Sequence, residues 1–143
     1  MHASLPPFLT SLGWIEFLQL NCDVYIPLVR KFYTTITLVP DDASTVRCRM
    51  FGIEYQFDIK TLAQVVNLPN AGVVHAPACF DHDRVWNELT GKSQFDYHSA
   101  YTSSITDPLL SIVHKLLCLQ IFGLKEANKL SSTHLLCLWC IQK

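Results

Sequence analysis

The chain has 143 residues and a mass of 16.3 kDa, the size of one domain that buries about 68–70% of its unfolded surface without a metal or disulfide staple. Half of the residues are hydrophobic and 16% are charged, which excludes a disordered tail and predicts a dense core or an uncovered apolar surface. Eleven Lys and Arg oppose twelve Asp and Glu, and the net charge of −1 excludes a global pull toward nucleic acid or anionic lipid.

At the N-terminus, residues 1–7 lack a basic segment leading into an apolar run, so no signal peptide is expected. Residues 10–20 read as a first helix. Thr10 or Ser11 can cap it, Trp14, Ile15, Phe17 and Leu18 give it apolar surface, and Gly13 weakens it. Asn21 and Asp23 precede a second helix reaching about Leu38. Its stripe is Tyr25, Leu28, Val29, Phe32, Tyr33 and Ile36. Pro27 requires that helix to start close by, and Pro40-Asp41-Asp42 ends the segment.

Residues 46–57 alternate with period two on both sides of Phe51-Gly52, the pattern of a β-hairpin with a two-residue turn. That register sets Met50 against Ile53, Cys48 against Tyr55 and Val46 against Phe57. On the other face it sets Arg49 against Glu54 as a favourable pair. Asp58 then caps a helix whose face is Ile59, Leu62, Ala63 and Val66, with Phe57 and Leu62 placed as a hydrophobic staple. Asn67-Leu68-Pro69 stops it.

Residues 69–79 read as a loop, and 81–91 as a short helix burying Val85, Trp86 and Leu89. The polar stretch 91–105 reads as an ordered loop or frayed helix. Asp107-Pro108 starts a helix that Gly123 stops. The 16 residues from Leu109 to Leu124 contain His114, Lys115 and Gln120. They fall short of the roughly 20 apolar residues of a membrane span, so a central buried helix is expected. Ser131 or Ser132 caps a last helix carrying Leu135, Leu136, Leu138, Trp139 and Ile141, which reaches Lys143 without a stop signal and is expected to be truncated. Together these elements predict a mainly α protein with one β-hairpin: a single compact helical domain over 1–143, of about five or six helices.

Six cysteines, at 22, 48, 79, 118, 137 and 140, are too sparse for a disulfide scaffold. Four lie in apolar stretches, which suggests buried free thiols in a reducing compartment. Cys137-x-x-Cys140 with His134 has ligand spacing, but a closed zinc site needs a fourth ligand and no second pair exists. Along a helix these three positions also drift around the axis. His75, Cys79 and His82 form a looser group, explained as well by loop and cap roles. There is no G-x-S-x-G, no evident activating context for a cysteine, no singled-out carboxylate pair and no glycine-rich phosphate loop. No catalytic, cofactor or metal residue is therefore expected.

Val29-Arg30-Lys31-Phe32-Tyr33 resembles the V-R-x-F-Y helix of the plant transposon protein domain. The hairpin with Gly52 and Phe57, and the helix closed by Leu68-Pro69, are similar to its next block. Ser131-Ser132-Thr133-His134 is similar to a later segment. The resemblance covers roughly 14–70 well and the rest loosely. Phe51 stands where that family usually has arginine, Ser132 or its neighbour where it has proline, and its further C-terminal helices are missing. The resemblance implies a mainly helical, mobile-element-associated plant domain without a known catalytic role. It also implies residence in the nucleus or cytosol.

The expected function is a non-enzymatic interaction or assembly module, whose partner is an unknown protein or a second copy, with no cofactor and no membrane. The alternatives are a nucleic-acid-binding module using the 46–57 hairpin, or a non-functional remnant. Arg30, Lys31, Arg47 and Arg49 are the candidate nucleic-acid contacts, since a two-stranded ribbon can enter a groove. A solvated strand face explains the same arginines, with Glu54 offsetting Arg49.

Overall fold

A computed structural model of the chain describes residues 5–71 and 75–143. They fall into two compact units, one spanning 6–71 and the other built mainly from the chain that follows. The described elements are seven α-helices and one three-stranded antiparallel sheet, an α+β arrangement rather than helices with a single hairpin.

In the first unit the expected helix over 10–20 is two short ones, α1 (Leu5–Ser11) and α2 (Ile15–Leu18). Gly13 separates them with a φ of 68°, a conformation that L side chains rarely adopt. A Cβ there would also meet the Pro69 ring at 3.3 Å. Thr10 and Ser11 do not cap a helix start. Their hydroxyls donate to the Pro6 and Phe8 carbonyls at 2.9 and 2.7 Å, closing the end of α1.

Helix α3 (Ile26–Thr35) carries Pro27 in its first turn, where no N–H is needed. It stops three residues before the expected Leu38. The Thr35 hydroxyl accepts from the Arg49 N–H at 2.9 Å, and the chain turns into β1 (Thr37–Val39). Asp41, at φ 65°, helps turn β1 into β2 (Asp42–Met50), which pairs in turn with β3 (Ile53–Asp58). The β1 strand is hidden in the sequence because Ile36 prolongs the helical stripe of α3.

The β2–β3 register matches the expected one at Met50–Ile53, Cys48–Tyr55, Val46–Phe57 and Arg49–Glu54. Phe51 and Gly52 both have positive φ, as the twist-compatible hairpin turn requires. The Glu54 carboxylate, however, pairs with Arg47 at 3.3 Å, the diagonal neighbour, which long side chains reach as readily as the opposite one. Arg49 Nε instead meets the Gly52 carbonyl at 3.4 Å. Phe32 of α3 stacks on Phe57 at 6.4 Å, so α3 covers the sheet face that buries Cys48. Asp58 caps α4 (Ile59–Val65), accepting from the Thr61 N–H at 2.7 Å. That bond holds the Asp58 carboxyl below its usual pKa. On the expected apolar face of α4, Ala63 and Val66 are part-buried, while Ile59 and Leu62 stay exposed.

The second unit holds most of the core. Helix α5 (His82–Thr90) is capped by Asp81, ends at Gly91 and buries Val85, Trp86 and Leu89, as expected. Residues 91–105 form the ordered loop, the first of the two expected alternatives, and backbone hydrogen bonds hold it and the residues after it. Leu130 N–H donates to the Ala100 carbonyl, Thr102 N–H to the Asn128 carbonyl and Thr106 N–H to the Leu89 carbonyl. A one-turn 3₁₀ helix spans Thr102–Ser104.

Helix α6 (Pro108–Leu116) starts on the Asp107 cap, whose carboxylate accepts from the Leu109 N–H at 2.8 Å. It runs into a wider π-type turn over Leu117–Ile121, and Gly123 follows at φ 60°. It is not buried all round: Leu110, Val113, His114, Leu117 and Cys118 face the core, whereas Ile112, Leu119 and Ile121 are exposed. Helix α7 (Ser132–Ile141) opens on Ser131 in a capping box with His134 and packs against α5 and α6. Replacing Asp107 by alanine should cost about 1 kcal/mol, and by serine much less. Urea denaturation followed by circular dichroism checks this, and equal losses for both would remove the capping role.

Candidate functional site

Among the described residues, His114, Cys118 and His134 form one group of potential ligand atoms, all within 4.8 Å of one another and all buried. His114 and Cys118 are four apart, so one helical face carries both. The widened turn after α6 contains Cys118, and such turns recur at functional sites. His134 arrives from the first turn of α7. His114 Nε2 lies 3.2 Å from His134 Nδ1 and 3.3 Å from Cys118 Sγ, and Cys118 Sγ lies 3.8 Å from His134 Nδ1.

The outer hydrogen bonds set the tautomers. Thr102 Oγ1 spends its only hydrogen on the Ala127 carbonyl at 2.6 Å. Its 3.0 Å contact with His114 Nδ1 is therefore donated by the ring, leaving a lone pair on Nε2. His134 Nδ1 accepts from the Ser131 N–H at 3.4 Å, so that ring carries its hydrogen on Nε2. Burial, with the neighbouring His134 adding to it, lowers the His114 pKa from 6.5 to about 4. Burial also lowers that of His134 and raises that of the Cys118 thiol. At neutral pH both rings are uncharged and Cys118 is a thiol.

His134 also borders a cleft of about 560 Å³ whose walls include Tyr97, Tyr101, Glu126 and Lys129. The Phe122 ring lies 4.9 Å from that of His134.

The sequence pairs His134 with the wrong partners. Cys137 and Cys140 share its helix, but its Nδ1 faces His114 and Cys118 on α6 and the turn after it. The missed signal was His114-x-x-x-Cys118 inside an apolar run, where an unexplained polar side chain needs a partner. Of the looser group, His82 packs its ring between Phe80 and Phe95, and the Cys79 carbonyl accepts from Arg84. Cys48 and Cys118 are buried, Cys137 and Cys140 half-buried, and Cys22 and Cys79 exposed, so the expected set of four buried thiols is two. Burial, then Cys140, raises the Cys137 pKa, opposite to what a nucleophilic thiol needs.

The four basic candidates are divided. Arg47 and Arg49 project from the sheet face opposite Cys48, while Arg30 and Lys31 lie on α3, which covers the Cys48 face. Arg47 is already paired with Glu54.

No family model, no curated protein and no solved structure matches the chain. No helix among the described residues is long and apolar enough to cross a membrane.

The first unit presents a second kind of site. Val24 (74%), Tyr33 (72%), Phe51 (74%) and Val65 (71%) are largely exposed, and Ile53 and Tyr55 of β3 are exposed as well. In contrast with the second unit, Leu9, Thr45 and Cys48 are its buried side chains among those described.

Proposed function

We propose that the chain is a non-enzymatic, plant transposon-derived assembly module that associates with a second copy of itself through β3. The residues at 29–33, Gly52, Phe57 and Leu68-Pro69 support the derivation through their likeness to that domain. The observation that carries the assembly reading is the exposed edge strand β3. Strand β1 is protected by being three residues long and by a register irregularity at Leu38–Val39. Strand β3 has six residues, an unbroken register and no lysine or proline, and its side chains are exposed but for the half-buried Phe57.

The strand is also self-complementary. Antiparallel pairing of two copies about Tyr55 sets Ile53 against Phe57 and Glu54 against Gln56, so no like charges meet. A two-fold axis through the strand would extend three strands to six and remove both exposed β3 edges.

Light scattering on size-exclusion fractions over a concentration series tests this. The wild-type chain should rise from 16.3 kDa to about twice that mass. Ile53→Lys/Gln56→Lys, which places the natural edge-blocking residue on both faces of the strand, should stay monomeric. A wild-type monomer at every concentration, or a dimer indifferent to the lysines, overturns the reading. Salt-sensitive co-migration with a mixed oligonucleotide pool, lost in Arg47→Ala/Arg49→Ala, would replace it with nucleic-acid binding.

A further inference from the structure

We infer that His114 Nε2, His134 Nδ1 and Cys118 Sγ bind a divalent transition-metal ion, with zinc the best match. The first argument is geometric. One tetrahedral zinc, at about 2.0–2.1 Å from nitrogen and 2.3 Å from sulfur, holds its ligand atoms about 3.3–3.6 Å apart. The three separations here are 3.2, 3.3 and 3.8 Å, so one ion fits with shifts of a few tenths of an ångström.

The second argument is a proton count. Thr102 leaves the His114 lone pair on Nε2, and the Ser131 N–H bond marks His134 Nδ1 as that ring's unprotonated nitrogen. Two unprotonated imidazole nitrogens therefore face each other at 3.2 Å inside the core, with the Cys118 thiol and the Ser131 N–H as the donors that reach them. The thiol hydrogen reaches His114, and the Ser131 N–H reaches His134 only over a long 3.4 Å bond, so no hydrogen lies between the two facing ring nitrogens. A cation at the centre turns all three lone pairs into favourable contacts.

The third argument is the outer shell. His114 donates its other N–H to the Thr102 hydroxyl oxygen, itself held by the Ala127 carbonyl, the arrangement that orients histidine ligands in metal sites.

Binding balances simply. Cys118 loses its S–H proton to solvent as the sulfur–metal bond forms, and the two neutral rings lose none, so one proton leaves per ion. Two nitrogens and a thiolate suit zinc and its neighbours better than magnesium or calcium, which prefer oxygen. Three protein ligands leave a position for water or an outside group, and the cleft that His134 borders is the way in.

Titration of the full chain, first stripped with chelator, with Co²⁺ tests the inference. The expected result is a thiolate-to-cobalt charge-transfer band saturating at one equivalent, abolished by Zn²⁺, with one proton released per ion in weak buffer. Cys118→Ser and His114→Gln should lose the band, and Cys137→Ser/Cys140→Ser should keep it. Thr102→Val, which touches the ion only through His114, should keep the band at about 10–100-fold weaker affinity. If Cys118→Ser does not fold, Cys118→Ala serves in its place, and the wild-type stoichiometry and proton count decide without any variant. Absence of a thiolate band in the wild type overturns the site. So does a band that survives loss of the Cys118 sulfur or vanishes with Cys137 and Cys140.

Discussion

Replacing Trp86 by alanine should destabilise the chain by about 3–5 kcal/mol, whereas Tyr33→Ala should change it by no more than about 0.5 kcal/mol. Both are large aromatic residues on well-formed helices. They differ in what surrounds them. Trp86 is 2% exposed, on the face of α5 that carries Val85 and Leu89, with Phe95 edge-on at 5.6 Å. Its removal leaves a cavity that neighbouring side chains cannot fill, so the transfer and cavity costs add. Tyr33 keeps most of its surface in water and buries little that alanine would lose. Urea melts followed by far-ultraviolet circular dichroism separate the two. Native stability is typically 5–15 kcal/mol, so Trp86→Ala should lower the midpoint sharply or leave the chain largely unfolded. Equal losses for the two variants would mean that the core is not concentrated after residue 75.

Between pH 6.5 and 4 the metal-free chain should lose about 3 kcal/mol of stability through His114. The sign follows from where the proton binds. The unfolded chain protonates this histidine near 6.5, and the folded chain resists until about 4 because burial, then the neighbouring His134, disfavours the charged ring. Below 6.5 the unfolded state therefore takes up more protons than the native state, and stability falls until the folded pKa is passed. His134, also lowered by burial, acts in the same direction, and Cys118 beside them stays protonated throughout.

Three carboxylates act mainly below this window. Asp42, Asp58 and Asp96 are held below 3.8 by hydrogen bonds from Ser44 and Thr45, from Thr61, and from His98 and Ser99 respectively. Their contributions are lost at lower pH. Urea midpoints in chelator across pH 4–7 give the measurement. His114→Gln should be less stable at pH 7 but flatter across that range, and an unchanged slope in the variant would remove His114 as the origin.

Local chemistry was legible wherever neighbouring residues decide it. Asp58 and Asp107 read as helix starts because a short carboxylate before an apolar run has one favourable use, and both accept the expected backbone N–H bonds. The β2–β3 register was legible for a similar reason. Period-two alternation on both sides of Phe51-Gly52 allows one pairing that keeps each face consistent.

The misreadings arose where a local pattern served two structures. Ile36 completes a helical stripe, yet it lies just before β1, whose backbone groups pair with β2 instead of extending α3. Gly13 read as a weak point inside one helix, and its positive φ makes it the break between two.

The sequence by itself determined the caps, the hairpin and its turn, the helical faces carrying Trp86 and Leu135, and the lack of any recognisable catalytic motif. Those features depend on residues within a few positions of one another, where periodicity and capping leave little choice. Only the tertiary structure decided that Glu54 takes Arg47 and that β3 is an edge of a three-stranded sheet. It also decided that His134 faces residues 16 and 20 positions earlier rather than Cys137 on its own helix. Helix packing brings α6 and α7 together for the sake of their apolar faces. Which polar side chains then meet inside that contact follows from three-dimensional placement, and linear spacing along α7 carries no information about it.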